Sequence, residues 1–223
     1  MNLDIFKEFN SILINKEKPS IEIELLMNNA DFKQSHLGIL NKLKNVPQEK
    51  EFHPEGNVWN HTKLVIDNAA KVKSFSEDSN SFMWAALFHD IGKIETTKFI
   101  KGRYRSYNHD KVGKNVTKNI LINYMDEEKA NKIAEIVSFH MHHIYILKDL
   151  PFSNIPKLIK SKYYDDIIML FICDKLGRGN NTYDEKEKAL NEVNIILDKL
   201  QKEDNKINDS IMKKLKEIKN ILI

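Results

Sequence analysis

The heptapeptide LFHDIGK, residues 87–93, is the most informative stretch of this chain. An apolar run over 81–88 leads into it and predicts a buried helix. The run stops at His89 and Asp90, and Gly92 follows two residues later. An aspartate in a last helical turn is unfavourable, because the C-terminal end of the helix dipole is already negative. We therefore expect a positive group beside Asp90, either Lys93 or a metal ion.

The composition indicates a mostly helical globular protein. Among 223 residues there are only 7 Gly and 5 Pro, and hydrophobic residues make up 41%. The net charge of +3 permits a phosphate-bearing substrate, but no dense Lys/Arg block indicates a nucleic-acid-binding surface. A single cysteine, Cys173, excludes an internal disulfide and fits a reducing compartment.

The sequence also gives expectations about location. The N-terminal residues MNLDIFKEFNSILIN lack a basic region and a small-residue cleavage site, so we expect no signal peptide. No apolar run reaches the roughly 18 residues that a membrane span requires. We expect a cytoplasmic protein without membrane contact, and the sequence leaves its oligomeric state open.

Hydrophobic periodicity predicts an all-α fold. Asn57 is a candidate N-cap, and Gly177 is expected to end a helix. The segment KFIKGRYRSY, residues 98–107, indicates one small β-hairpin around Lys101-Gly102. Predicted helices cover about 3–13, 21–27, 37–43, 57–72, 81–90, 109–124, 127–142 and 163–176, followed by a charged helical appendage in the last forty residues.

Several histidines and aspartates fall on apolar stripes or at helix ends. A lone histidine there is usually a core residue, whereas an unpartnered buried aspartate costs several kcal/mol. Two aspartates and four histidines on five helices are all satisfied if they converge on metal. Imidazole and carboxylate donors suit Fe, Mn, Co, Ni or Zn, with Mg as a further candidate, and they suit Ca poorly. These residues are His61, His89, Asp90, His109, His140 and Asp174.

Five ordered blocks carry a resemblance to a known family. They are HTKLV (61–65), LFHDIGK (87–93), YNHDKVG (107–113), IVSFH (136–140) and CDKLGR (173–178). In this order they resemble the HD-domain metal-dependent phosphohydrolases. HPEGNVWNHT, residues 53–62, is similar to the HD domain of bacterial tRNA nucleotidyltransferases, the CCA-adding enzymes. The resemblance implies an HD-domain helical bundle over 51–180, with helical extensions at 1–50 and 181–223.

The resemblance also implies roles for the six residues. His61, His89, Asp90 and Asp174 would hold a first metal ion. His109 and His140 would hold a second, with Asp90 bridging the two, so that one or two divalent ions bind.

Other polar residues near the motifs have two interpretations. Lys93 would contact a substrate phosphate and act with Asp90 in catalysis, or would only pair with Asp90 at the surface. Arg178 is a second candidate for substrate binding. His142 and His143 either line the entrance of the site or are exposed polar residues at a helix end.

The resemblance implies hydrolysis of a phosphate ester, by a phosphatase or phosphodiesterase. Candidate substrates are a nucleotide monophosphate, a 2′,3′-cyclic phosphate and an RNA-terminal phosphate, and we favour a small nucleotide. About sixty residues precede His61, too few for a nucleotidyltransferase head, so we do not expect CCA addition. Two alternatives are a di-iron HD-type oxygenase and a non-catalytic interaction module.

Overall fold

The computed structural model describes residues 2–179, 182–203 and 209–222. Within them the protein is helical, with one two-stranded sheet, as predicted. Two short 3-10 segments, His36–Asn45 and Lys73–Phe75, complete the regular structure. The α-helices are α1 (Asn2–Asn15), α2 (Pro19–Leu26), α3 (Ala30–Gln34), α4 (Val58–Val72), α5 (Ser79–Phe88), α6 (Lys93–Thr96), α7 (His109–Leu121), α8 (Glu127–Phe139), α9 (His142–Leu147), α10 (Ile155–Ile159), α11 (Tyr164–Leu176), α12 (Tyr183–Gln201) and α13 (Asp209–Leu222).

The predicted hairpin is confirmed. Strand β1 (Thr97–Ile100) pairs antiparallel with β2 (Arg103–Ser106). Lys101 and Gly102 form the turn with φ values of 50° and 78°. Two consecutive positive φ values are what a tight two-residue hairpin turn requires, and glycine adopts them without steric cost.

Helix α5 lies at the centre of the bundle. All residues over 81–88 are buried, and the helix packs on α1, α4, α8 and α11. A helix that is apolar on every side is stable only when neighbours surround it. Its C-terminal end, with His89 and Asp90, therefore lies inside the protein: His89 is 0% and Asp90 2% exposed.

The predicted cap on α4 is also present. The Asn57 side chain accepts a hydrogen bond from Asn60 N at 2.9 Å. Capping satisfies a main-chain N–H that the first helical turn leaves unpaired. The cap fixes where α4 begins, and hence that His61 lies in its first turn.

The predictions for α7 and α8 need correction. Helical periodicity predicts one buried stripe of Val112, Val116 and Ile120 on α7. Ile120 is buried, but Val112 and Val116 are only half-buried, and Gly113 and Thr117 lie on the buried face instead. The main chain at Gly92 lies very close to α7, which explains why a glycine is on the buried face. A Cβ atom on Gly92 would be only 2.6 Å from Gly113 N. Helix α8 ends at Phe139 rather than at 142, because the chain turns there before α9 begins.

The terminal helices join the same core. Side chains such as Phe9 from α1, Leu197 from α12 and Ile218 from α13 belong to one continuous hydrophobic cluster that also includes α5. The helix α3 was not predicted, and the predicted helix at 37–43 is a 3-10 segment. In the described part of the chain, every helix is too short or too polar to cross a bilayer.

Candidate metal centre

The main chain orients four histidine rings. In His89, His109 and His140, Nδ1 donates to the carbonyl oxygen three positions earlier, at 2.8, 2.6 and 2.7 Å. In His61, Nδ1 lies 2.9 Å from the carbonyl oxygen of Gly177, just past α11. A carbonyl can only accept a hydrogen bond, so the proton of each neutral ring lies on Nδ1. Each Nε2 then carries a lone pair that can bind a metal.

The first cluster joins α4, the end of α5 and α11. One donor atom from each of His61, His89 and Asp174 lies within 4.8 Å of the others. His61 Nε2 is 3.1 Å from Asp174 Oδ1. His89 Nε2 is buried and has no hydrogen-bond partner among the described residues. Such an atom has a free lone pair at the cluster, as a metal ligand would.

The second cluster contains Asp90, His109 and His140, whose donor atoms also lie within 4.8 Å of one another. Asp90 Oδ1 is 3.4 Å from His109 Nε2 and 3.5 Å from His140 Nε2. The two Nε2 atoms are themselves 3.0 Å apart. Two lone pairs that face each other at this distance repel, unless a proton or a cation lies between them.

Asp90 lies between the two clusters. Its Oδ1 faces His109 and His140, whereas Oδ2 lies 3.3 Å from His89 Nε2 and 3.8 Å from His61 Nε2. Burial alone would raise the pKa of Asp90. The charge of Lys93, together with the imidazoles of His89, His109 and His140 around the carboxylate, holds this pKa well below its usual value. Asp90 is therefore ionised, with one oxygen facing each cluster.

The donors fit one or two divalent transition-metal ions. Ligand atoms at ~2.1 Å from a tetrahedral ion lie about 3.4 Å apart. The donor separations of 3.0 to 3.5 Å in the second cluster bracket that value. The structure brings all six predicted residues together, and their role as metal ligands stays a prediction.

Asp174 is ionised for a similar reason. Burial would raise its pKa, but the hydrogen bond from His61 and the nearby imidazoles hold the pKa well below its usual range. Burial would also lower the pKa of His61. The bonds to Asp174 and Glu55 outweigh burial and raise this pKa to about 9. Without a bound cation, a proton on His61 thus offsets part of the carboxylate charge.

Lys93 lies beside Asp90 and is mostly buried. Its Nζ is 2.7 Å from Asp90 Oδ2 and 2.8 Å from Gln48 Oε1, and its side chain is 12% exposed. Lys93 therefore provides a positive charge beside Asp90, as expected from the sequence, although its side chain lies mostly within the protein. Arg178 is half-buried just past α11, and its Nε has no hydrogen-bond partner within the described ranges. It directly follows Gly177, whose carbonyl oxygen contacts the His61 ring, so it lies close to the first cluster.

Two residues of HPEGNVWNHT were not singled out by the sequence. Glu55 Oε1 lies 3.2 Å from His61 Nδ1 and 2.8 Å from His53 Nδ1. Glu55 thus holds the side of the His61 ring that faces away from Asp174. The spacing of Glu55 from His61 across a helix start gave no signal, because loop residues do not follow helical periodicity.

His142 and His143 are both buried, at 6% and 0% exposure, so neither is an exposed polar residue. His143 Nε2 lies 3.7 Å from Asp174 Oδ2, which places the ring at the edge of the first cluster. Burial lowers the pKa of His143 to about 3, so the ring is neutral. His142 Nε2 instead accepts a hydrogen bond from Asn154 N at 3.2 Å.

Comparisons with known proteins match the part of the chain that carries both clusters. A family model described as HD domain matches residues 58–179. The chain is 27% identical over 158 residues to the multifunctional CCA protein of Actinobacillus pleuropneumoniae serotype 5b, which is 66% of this chain and 38% of that protein. The protein of the same name from Dechloromonas aromatica is 26% identical over 185 residues, 78% of this chain and 43% of its own length. The chain thus spans about two fifths of these relatives.

Proposed function

The chain belongs to the HD domain family, whose members are typically metal-dependent hydrolases, and we propose from this that it is a metal-dependent phosphohydrolase acting on a nucleotide or a related phosphate ester. The observation that carries the proposal is Asp90, ionised and set between two clusters of buried imidazoles. Similarity to multifunctional CCA proteins is compatible with a nucleotide or an RNA end. Candidate substrates are a nucleotide monophosphate, a 2′,3′-cyclic phosphate and an RNA-terminal phosphate.

We assign the six candidate ligands to two ions. His61, His89 and Asp174 would hold one ion, His109 and His140 a second, with Asp90 shared between them. When bound, a divalent metal ion supplies Lewis acidity, which polarises a phosphoryl oxygen and lowers the pKa of water so that hydroxide is available to attack phosphorus near neutral pH. The buried positions of the donors exclude bulk water and strengthen their electrostatic interactions.

Lys93 would act on the substrate. A lysine next to the reacting phosphoryl group stabilises the negative charge that builds on its oxygens. Gln48 and Asp90 hold Nζ on the Oδ2 side of Asp90, so the ammonium group is already positioned. Arg178, with an unsatisfied buried Nε at the edge of the first cluster, would bind a second phosphate oxygen.

Hydrolysis of small phosphate esters by metal-loaded protein tests the proposal. Samples loaded with Mn, Ni, Co, Zn or Fe are assayed on a nucleoside monophosphate and a nucleoside 2′,3′-cyclic phosphate. We expect Asp90→Asn to lower kcat by at least about a thousandfold, since it removes the charge between both clusters. Asp166→Asn is the matched control, because Asp166 is also buried but belongs to neither cluster.

Two results would count against hydrolysis. Absence of activity on both substrate classes in every metal-loaded sample would refute it. Activity of Asp90→Asn equal to that of the wild type would show that hydrolysis does not depend on the two clusters. Cellular function retained by Asp90→Asn would instead favour the non-catalytic module. Iron content and oxygen uptake, measured on the same samples, test the di-iron oxygenase alternative.

A further inference from the structure

The hairpin next to the metal centre carries an unusual set of side chains. Residues 97–107 contain four cations and no acidic residue. Three aromatic side chains accompany them and are 65%, 40% and 62% exposed, namely Phe99, Tyr104 and Tyr107. Exposed aromatic rings among cations are the combination with which proteins bind unpaired nucleic acid, because bases stack on the rings and phosphates pair with the cations.

The strand register separates two faces. Phe99 lies opposite Tyr104, with ring centroids 5.1 Å apart, so these two rings share one face. Lys98 lies opposite Arg105 on the other face, where Arg103 also lies because side chains alternate along a strand. The hairpin therefore presents an aromatic face and a basic face, back to back.

Folding stability does not account for this arrangement. Like charges directly opposite each other, such as Lys98 and Arg105, destabilise a strand pair. Of the hairpin cations, Arg103 pairs with Glu51 at 3.2 Å, whereas Lys98, Lys101 and Arg105 form no ion pair among the described residues. Three unneutralised cations on one small exposed element favour an anionic ligand.

The base of the hairpin touches the metal centre. Ser106, the last residue of β2, accepts the hydrogen bond from His109 Nδ1 at 2.6 Å. Helix α6, which begins at Lys93, leads directly into β1. From this base each four-residue strand extends roughly 13 Å to the turn. A ligand along the hairpin would therefore have one end at the proposed catalytic residues.

We propose that the hairpin binds single-stranded RNA whose terminal phosphate lies at the metal centre. Bases stack on the aromatic face of Phe99 and Tyr104, and the strand passes around the hairpin so that its phosphates meet the basic face of Lys98, Arg103 and Arg105. This inference rests on the proposed phosphohydrolase function and deepens it. Among the candidate substrates, only an RNA end carries further nucleotides that could occupy such a surface. It replaces the small nucleotide that was favoured because too few residues precede His61 for a nucleotidyltransferase head.

Binding of a labelled ten-nucleotide single-stranded RNA with a 3′-terminal phosphate, followed by fluorescence anisotropy, tests the aromatic face. We expect Phe99→Ala to weaken binding about tenfold or more, because a stacking partner is lost. Phe152→Ala is the matched control: Phe152 is 66% exposed but lies outside the hairpin. Equal affinities of Phe99→Ala and the wild type would overturn the proposal.

The salt dependence of the same binding tests the basic face. Each phosphate contact to single strands contributes about 0.7 to the slope of log K against log salt, so Lys98→Gln/Arg105→Gln should reduce the slope by about 1.4. Lys213→Gln/Lys216→Gln, which removes two exposed cations from α13, should leave the slope unchanged. An unchanged slope in the hairpin variant would overturn the proposal.

Further ligands define the partner. Duplex RNA should bind at least fivefold more weakly, since its bases are not free to stack. Tighter binding of the duplex, or of a DNA strand with the same sequence, would overturn the assignment to single-stranded RNA. These measurements need no turnover. Failure to hydrolyse any phosphate ester would refute the hydrolase proposal, whereas unchanged RNA binding by the hairpin variants would refute only the hairpin surface.

Discussion

Gly92 allows α7 to lie close to His89 and Asp90, so Gly92→Ala should move α7 away from these two residues. A methyl group there would lie 2.6 Å from Gly113 N and closer still to the His109 carbonyl oxygen, whereas real Cβ atoms essentially never approach within 3.0 Å. The main chain around His109 must therefore move by at least several tenths of an ångström. Binding constellations tolerate about 0.5 Å before they weaken. The 3.4 Å separation of His109 Nε2 from Asp90 Oδ1 should lengthen accordingly.

The expected result is selective loss of the second ion. Displaced supporting structure typically costs about 10–100-fold in metal affinity. We therefore expect one metal equivalent to bind about tenfold or more weakly in Gly92→Ala, while the cluster of His61, His89 and Asp174 keeps its affinity. Overpacking should also cost ~2 kcal/mol of stability, or roughly 4–8 °C in Tm. Metal content by mass spectrometry, chelator competition and thermal unfolding measure these effects.

Gly38→Ala separates metal binding from general destabilisation. A methyl group on Gly38 would lie 2.9 Å from the Lys33 carbonyl carbon, a similar clash that is remote from the clusters. This variant should lose stability and keep both metal equivalents. If Gly92→Ala also kept both with unchanged affinity while its Tm fell, the coupling of α7 position to metal binding would be refuted.

Three further predictions concern single side chains. Asp78 accepts hydrogen bonds from the Ser81 hydroxyl and from Ser81 N, which caps α5, and it pairs with Lys132. Together these outweigh burial and lower the pKa of Asp78 to about 2. Asp78→Ala should therefore cost ~1 kcal/mol at pH 7 by urea denaturation. That difference is full above pH ~4 and is lost as pH falls toward 2; a pH-independent difference would contradict it. Glu55→Gln should weaken metal binding about tenfold through His61, measured by chelator competition, and unchanged affinity would exclude this role. Burial raises the pKa of the Cys173 thiol, so it should react with thiol reagents only in denaturant; fast reaction of the native protein would show otherwise.

The helices that carry the candidate ligands are well predicted by periodicity. The apolar run before His89 is α5, and Asn57 caps α4 as expected. Where two glycines allow close packing, periodicity misplaces the buried face, because Gly113 on α7 counts as neither apolar nor polar. Short elements such as α3 carry too few residues for a periodic signal.

The candidate site was predictable to the extent that its residues lie on helices or in recognised motifs. A buried aspartate at a helix end needs a positively charged or metal partner, and the five motif blocks indicated which histidines lie beside Asp90 and Asp174. Glu55 and Gln48 lie in the irregular segment before α4, where no spacing rule relates them to His61 or Lys93. Likewise, the charge balance of the whole chain hid the basic hairpin, since acids elsewhere offset its cations.

The hydrogen bonds from histidine Nδ1 to main-chain carbonyls have an evolutionary consequence. Carbonyl oxygens are present whatever side chain a residue carries, so the partners that orient His89, His109 and His140 cannot be removed by substitution. The surrounding sequence is therefore free to drift, provided that the helices and the ligands persist. A motif of a few residues can thus keep its geometry in chains whose aligned residues are only about a quarter identical. This is the level of identity between this chain and its relatives.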